Sequence, residues 1–368
     1  MQDAPFPDQP SQEAEAAKAK PLSSAGPRAL KARRDLKHVQ AAEVQAEHMA
    51  LAAGLPALVR LGTSSWSYPG WTGLVWAQDV SEALLSKHGL PAYSHHPLMR
   101  TVSVDRAFYR ALNVSQYAAY AEQVPDDFRF IVKAPSSVCD ALVRDDKGRG
   151  LQHNPVFLDT ALAEQEFIRP ALQGLRHKVG ALVFQISPLP PEWLRQRGKL
   201  LQHLHAMLRA LPSLQPSAPD GVVAVEFRDA AMVAPDIIPD LVAMLRDVGA
   251  TYCLGLHAKM PPIEAQLPIL RKLWPGPLVC RWNLHRRHGA YGYEDARAMY
   301  APFNHIQDAD EETRGVLARV ILGTTGAGRP AYVSISNKAE GCAPLSVVAL
   351  AQAIRNGMDS SSPPDATG

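Results

Sequence analysis

Two acidic and three basic side chains stand where short apolar runs end, and their types define the chemistry available to this chain. Glu226 and Arg228 close the run 222–228, Asp105 closes 101–105, Lys133 lies near the end of 128–134 and Arg281 near the end of 277–283. Glu226 is the first choice for a general base and Asp105 the second. Lys133 serves as an acid, or as an amine once Arg228 and partial burial lower its proton affinity. Arginine guanidiniums grip phosphate or carboxylate with two parallel hydrogen bonds. Gln185, Asn283, Asn337 and Lys338 add polar groups at further run ends, with Arg106 and His257 as additions. Trp66, Tyr68, Phe108, Tyr109 and Tyr291 supply aromatic faces able to stack on a base or sugar. Asp105 and Glu226 against Lys133, Arg228 and Arg281 leave a positive balance, so the expected ligand is a small anion such as a phosphate, phosphodiester or carboxylate. The same residues also fit internal ion pairs, Glu226–Arg228 and Asp105–Arg281, that fill a polar interior without chemistry.

Elements that would gather these residues are visible as periodicity. Eight apolar runs, 58–64, 101–105, 128–134, 181–186, 222–228, 251–257, 277–283 and 331–337, alternate with helical segments at 115–124, 155–177, 191–211, 235–248, 294–301 with 308–322, and 344–356. Strand–helix alternation implies a parallel sheet with helical crossovers, and eight units in about 300 residues predict an α/β fold, a single (β/α)8 TIM-type barrel. A doubly wound open sheet is the alternative, weakened because no glycine-rich dinucleotide turn follows a strand. Side chains two apart share a strand face. Val223, Val225 and Phe227 thus oppose Ala224, Glu226 and Arg228; Leu278, Cys280 and Trp282 oppose Val279, Arg281 and Asn283; Leu182, Phe184 and Ile186 oppose Ala181, Val183 and Gln185. Val102 and Val104 oppose Ser103 and Asp105, and Val333 and Ile335 oppose Ser334 and Ser336. One face is apolar throughout and suits packing against helices. The other turns polar towards its C-terminal end, where barrel active sites lie.

Composition bounds the function classes. The 368 residues carry 38 Lys+Arg against 36 Asp+Glu, a net charge of +2, with 46 % apolar residues. That apolar fraction excludes a mostly disordered chain, and the near-neutral balance argues against coating nucleic acid or membrane by bulk charge. Residues 1–57 read as a low-complexity, disordered or partly helical N-terminal extension, 58–356 as the barrel and 357–368 as a disordered tail. Arg28, Lys31, Arg33, Arg34 and Lys37 form a basic stretch that suits either a nucleic-acid-contacting arm or a solvated helix. No secretory leader or bilayer-length apolar stretch is visible, and the four cysteines are too far apart for a zinc-type pair, so a cytoplasmic protein with free thiols is expected. Among the 13 histidines, His95-His96 precedes the second strand at the end away from the mouth and His203-x-His205 reads as surface, while His285-x-x-His288 can reach the mouth but brings two arginines that disfavour a cation, so neither metal nor other cofactor is expected.

Several of these segments together form a recognisable series. Gly62-Thr63-Ser64-Ser65-Trp66-Ser67-Tyr68 is followed by Trp71, and Val102-Ser103-Val104-Asp105 by Phe108-Tyr109-Arg110. Phe128 to Lys133, Phe184-Gln185-Ile186-Ser187-Pro188, Val225-Glu226-Phe227-Arg228-Asp229, Arg281-Trp282-Asn283-Leu284-His285 with Tyr291, and Asn337 to Ser346 come next, in order. Across roughly 58–356 the chain resembles the YecE-like family, the domain of unknown function 72. The resemblance implies a TIM-type barrel and a pocket at its mouth, but no reaction. It also marks departures. Ser103 stands at the family's usual Glu, Asp105 at its Asn, Ser65 at a Gly, Met232 at a Trp and Ser336 at the first of two paired asparagines. Asp105, two residues beyond Ser103 on the same face, is placed to take over the carboxylate role. The readings that follow are an uncharacterised barrel protein binding or acting on a phosphate-bearing small molecule or nucleotide by proton-transfer or hydrolase-type chemistry, a non-catalytic nucleic-acid or nucleotide binder, and a degenerate scaffold.

Overall fold

All eight apolar runs become strands, and they close on themselves. The computed structural model describes residues 38–145, 148–289 and 292–360. Its strands are β1 (Val59–Thr63), β2 (Thr101–Val104), β3 (Arg129–Lys133), β4 (Leu142–Arg144), β5 (Gly150–His153), β6 (Val179–Ile186), β7 (Val222–Phe227), β8 (Thr251–Leu256), β9 (Leu278–Trp282) and β10 (Ala331–Ile335). The barrel runs β1-β10-β9-β8-β7-β6-β3-β2, with every neighbouring pair parallel, and β4 and β5 form a separate antiparallel hairpin.

Parity sorts the side chains as expected. Ile131, Ala181, Val183, Ala224, Cys253, Val279 and Tyr332 pack together as the barrel's own interior cluster. The alternate residues, among them Val102, Phe130, Leu182, Phe184, Val225, Phe227, Cys280, Trp282 and Val333, belong to the larger core between sheet and helices. The barrel is therefore layered along its axis. Arg129 and Tyr332 stand at the base of the strands, an apolar belt fills the middle, and polar groups cap the C-terminal end.

The helical shell includes Val114–Ala121, Arg169–Leu175, Arg197–Ala210, Ile238–Asp247, Glu311–Gly326 and Ala343–Asp359. Two of these helices start on a side-chain cap: Asn113 and Gln116 form a reciprocal capping box, and Asp310 accepts from the Thr313 amide ahead of Glu311 and Glu312. Several elements differ from the sequence reading. Glu82–His88, Leu90–His95 and Ile263–Lys272 are helices that their short length and internal or initial prolines concealed. The stretch 155–177 is not one helix, because a π-helical turn, Glu164–Ile168, separates Thr160–Ala163 from Arg169–Leu175. The last helix continues to Asp359, so 357–359 are helical and not tail. Helix Ala46–Ala53 lies in the extension, whereas 40–42 bond to the barrel loops: Ala42 donates to the Val75 carbonyl and Ala77 to that of Gln40. The basic stretch Arg28–Lys37 lies outside the described residues. No helix among the described residues is long and apolar enough to cross a membrane.

Candidate functional site at the barrel mouth

The polar layer is built from four strand ends. Gln185 and Glu226 face each other in the β6–β7 register, which sets their side chains side by side. Arg281 on β9 must reach Glu226 past β8, where its register partner is Gly255. Gly255 places no side chain of its own between them, and a Cβ there would lie at ordinary van der Waals distance, 3.4 Å, from the Glu226 side chain. Arg281 Nη1 donates to Glu226 Oε2 at 2.6 Å and to Gln185 Oε1 at 2.9 Å, and Nη2 donates to Asp105 Oδ2 at 2.7 Å. One guanidinium thus ties β9 to β7, β6 and the end of β2. Arg228 donates to Gln185 Oε1 at 2.8 Å and places its Nε 3.0 Å from Glu226 Oε1, an ion pair whose angle is too poor for a hydrogen bond. It also hydrogen-bonds the Tyr293 hydroxyl. Ser103 Oγ donates to Asp105 Oδ1 at 2.6 Å, so the serine at the family's glutamate position holds the carboxylate two residues on.

Both ion pairs anticipated from the sequence are present, and every member but Asp105 is buried: Glu226 is 0 % exposed and Arg281 1 %, with Lys133 close by at 4 %. Solvent comes nearest at Asp105, whose side chain keeps 20 % of its accessibility. Burial alone would raise the carboxyl pKa of Glu226, but Arg228 and Arg281 outweigh it and hold the group below its ordinary range. Asp105 follows the same balance, with Arg281, Lys133, Ser103 and Arg228 overcoming burial. Burial dominates at Lys133. Asp105 opposes it while Arg281 and Arg228 reinforce it, and the ammonium pKa falls to about 7. Its Nζ lies 3.9 Å from the centre of the Phe108 ring.

Other predicted residues take different places. Tyr109 is 39 % exposed beside Phe108, and Tyr68 packs on Trp71 and Phe303. Trp66 is turned edge-on against Tyr120 of helix Val114–Ala121, so its ring contact is with the helical shell. Asn283 donates to the Arg281 carbonyl. Asn337 acts as a latch: its Oδ1 accepts from Trp71 Nε1 at 3.1 Å and from the Ala343 amide at 2.8 Å. Lys338 is buried with its ammonium 5.7 Å from the Tyr293 ring. Tyr291 lies outside the described residues. The aromatic that the sequence reading missed is Tyr293, whose ring also lies tilted, 5.1 Å from that of His257. It follows no strand pattern, and only its closeness to the basic 285–288 segment hinted at it. Among the described residues no group of three or more His, Cys, Asp or Glu is arranged to hold a metal ion.

An eight-stranded parallel barrel with a charged mouth defines the structural class. The model of the family described as "Protein of unknown function DUF72" matches residues 60–367, and the chain belongs to that family. A DUF72 family protein of Enterococcus faecalis V583 is similar at 16 % identity and a TM-score of 0.52, over 84 % of this chain and all (100 %) of that one. Another, from Thermotoga maritima MSB8, is similar at 17 % identity and a TM-score of 0.50, over 82 % of this chain and 99 % of that one. At these identities the likeness is one of fold. No curated protein matches the chain.

Proposed function

We propose that the barrel mouth binds a small phosphate- or carboxylate-bearing molecule, with Asp105 and Glu226 available to move protons. The observation that carries this reading is a set of buried donors left over in the charged layer. Gln185 Nε2, Arg281 Nε and the Ser334 hydroxyl have no hydrogen-bond partner among the described residues. A layer that served only as internal ion pairs would use its donors, because an unmade buried hydrogen bond costs about 1–3 kcal/mol. Here the leftover donors lie among the guanidiniums of Arg228 and Arg281, beside the partly buried Asp105. An anion bound there accepts from them. Tyr109, exposed at the neighbouring helix, supplies a stacking face if the anion belongs to a nucleotide.

The test is thermal unfolding with inorganic phosphate, AMP or a dicarboxylate at matched ionic strength. Phosphate should raise Tm in the wild type above a chloride control, and Arg228→Gln should abolish the rise. An unchanged Tm with every anion would sink the proposal and leave the degenerate scaffold. A larger response to AMP than to phosphate, lost in Tyr109→Ala, would extend the site to a nucleotide.

A further inference from the structure

We infer that Lys133 is a nucleophilic amine, poised to form an imine with an aldehyde or ketone carried by the anion bound in the mouth. The inference rests on the anion-site reading and adds the reacting group and the substrate class. Lys133 is the last residue of β3 and 4 % exposed, and its register with Val183 and shared face with Ile131, both in the barrel's interior cluster, turn it inward at the mouth. The face of Phe108 bounds Nζ at 3.9 Å. Asp105 from the end of β2, Glu226 from β7, Arg228 beyond β7, Arg281 from β9 and Cys139 from helix Ser136–Cys139 are the titratable groups whose fields reach it.

A carbonyl condenses only with an unprotonated amine, and a protein obtains one near neutral pH by desolvating a lysine among other cations. Both conditions hold here. The aromatic face favours the charged form, but burial outweighs it and the two guanidiniums add to the effect. At pH 7 such an amine has a neutral fraction roughly a thousandfold above that of a solvated lysine. The guanidiniums then serve twice, holding the substrate's anionic group and keeping the amine free of its proton.

The step balances with water as the only by-product. The Nζ lone pair forms a bond to the carbonyl carbon, and the carbonyl oxygen takes up a proton. The carbon–oxygen bond then breaks, and both amine hydrogens leave with that oxygen as water while nitrogen and carbon form a double bond. Asp105, joined to solvent and held by Ser103 and Arg281, is the carboxylate placed to ferry the proton from nitrogen to oxygen.

The test treats the wild-type protein with glyoxylate and sodium cyanoborohydride at pH 7 and maps reduced adducts by peptide mass spectrometry. Lys133 should be modified on the order of tenfold more than the exposed lysines. Excess phosphate should suppress that enrichment, and acetaldehyde, which carries no charge, should show less of it. Labelling spread evenly over surface lysines, while phosphate still raises Tm, would overturn the imine and leave the anion site standing. Even labelling with no phosphate effect on Tm would sink both. Equal enrichment at Lys133 with glyoxylate and acetaldehyde would overturn the assignment of an anionic carbonyl substrate.

Discussion

The two ends of the barrel carry similar residue types and use them differently. At the base, Arg129 donates Nε and Nη2 to Asp220 at 3.1 and 2.6 Å, and Nη1 to the Asp126 and Phe128 carbonyls at 2.9 and 3.1 Å. Tyr332 donates to the Asp220 carbonyl, and the Asp220 side chain is 46 % exposed. Every nitrogen of that guanidinium is engaged, and water reaches its carboxylate. At the mouth, Glu226 is wholly buried between two guanidiniums, and Arg281 keeps an unused Nε. The base also leaves a donor over, since Arg60 Nε, in register with Tyr332, has no hydrogen-bond partner among the described residues. What sets the two ends apart is the depth of the acid, half-exposed at the base and wholly buried at the mouth. Desolvated charge is expensive to keep, and well-packed apolar residues often serve stability as well or better. The contrast therefore points to a task at the mouth other than holding the barrel closed.

The sharpest way to break the comparison is to remove the central carboxylate. Glu226→Ala strands two buried guanidiniums and should cost about 3–5 kcal/mol in urea denaturation. A loss under about 1 kcal/mol, the range of an exposed pair, would put the mouth in the same class as the base. Lys133→Met comes next, and its effect depends on pH. The folded pKa of Lys133, about 7, lies below its ordinary value of 10.5, so between those values the unfolded chain binds the extra proton. Stability of the wild type should accordingly rise with pH across that window. Lys133→Met should gain most at or below pH 7 and lose its advantage towards pH 10.5, and a pH-independent difference would contradict the assignment. Ser103→Ala removes one hydrogen bond to Asp105 and should cost about 1 kcal/mol, with phosphate binding weakened alongside. Asp220→Ala, at the half-exposed base, should change stability by about 0.2–1 kcal/mol and leave the phosphate response intact.

Much of the mouth could be read from the chain because strand alternation is strict. Placing Glu226 and Arg228 on one face, and Arg281 opposite Cys280 and Trp282, is enough to direct all three inward once a barrel is assumed. Distances across the barrel were beyond that reading. Arg281 meets Glu226 across β8, a contact that sequence spacing does not reveal. Residues after strands were harder still, because loops follow no period. Trp66, just after β1, makes its ring contact with Tyr120, a partner no spacing points to, and Tyr293, two residues from Tyr291, carries no strand signal that would direct it to Arg228. The β4–β5 hairpin escaped for a related reason. It is short, its strands are largely exposed, and Arg144 holds it through Asp140 and the distant Pro188 carbonyl.

The Asn337 latch has a consequence for how this chain is made. Trp71 and Asn337 are 266 positions apart, and the seam they clasp is the one where β1 meets β10. On the ribosome, β2 follows β1 early, whereas β10 emerges only after all the other strands. Until then the growing sheet has two raw edges, each a template for pairing with a neighbouring nascent chain. The hazard of misassembly is concentrated in that interval and ends when the last strand docks and Asn337 engages the indole.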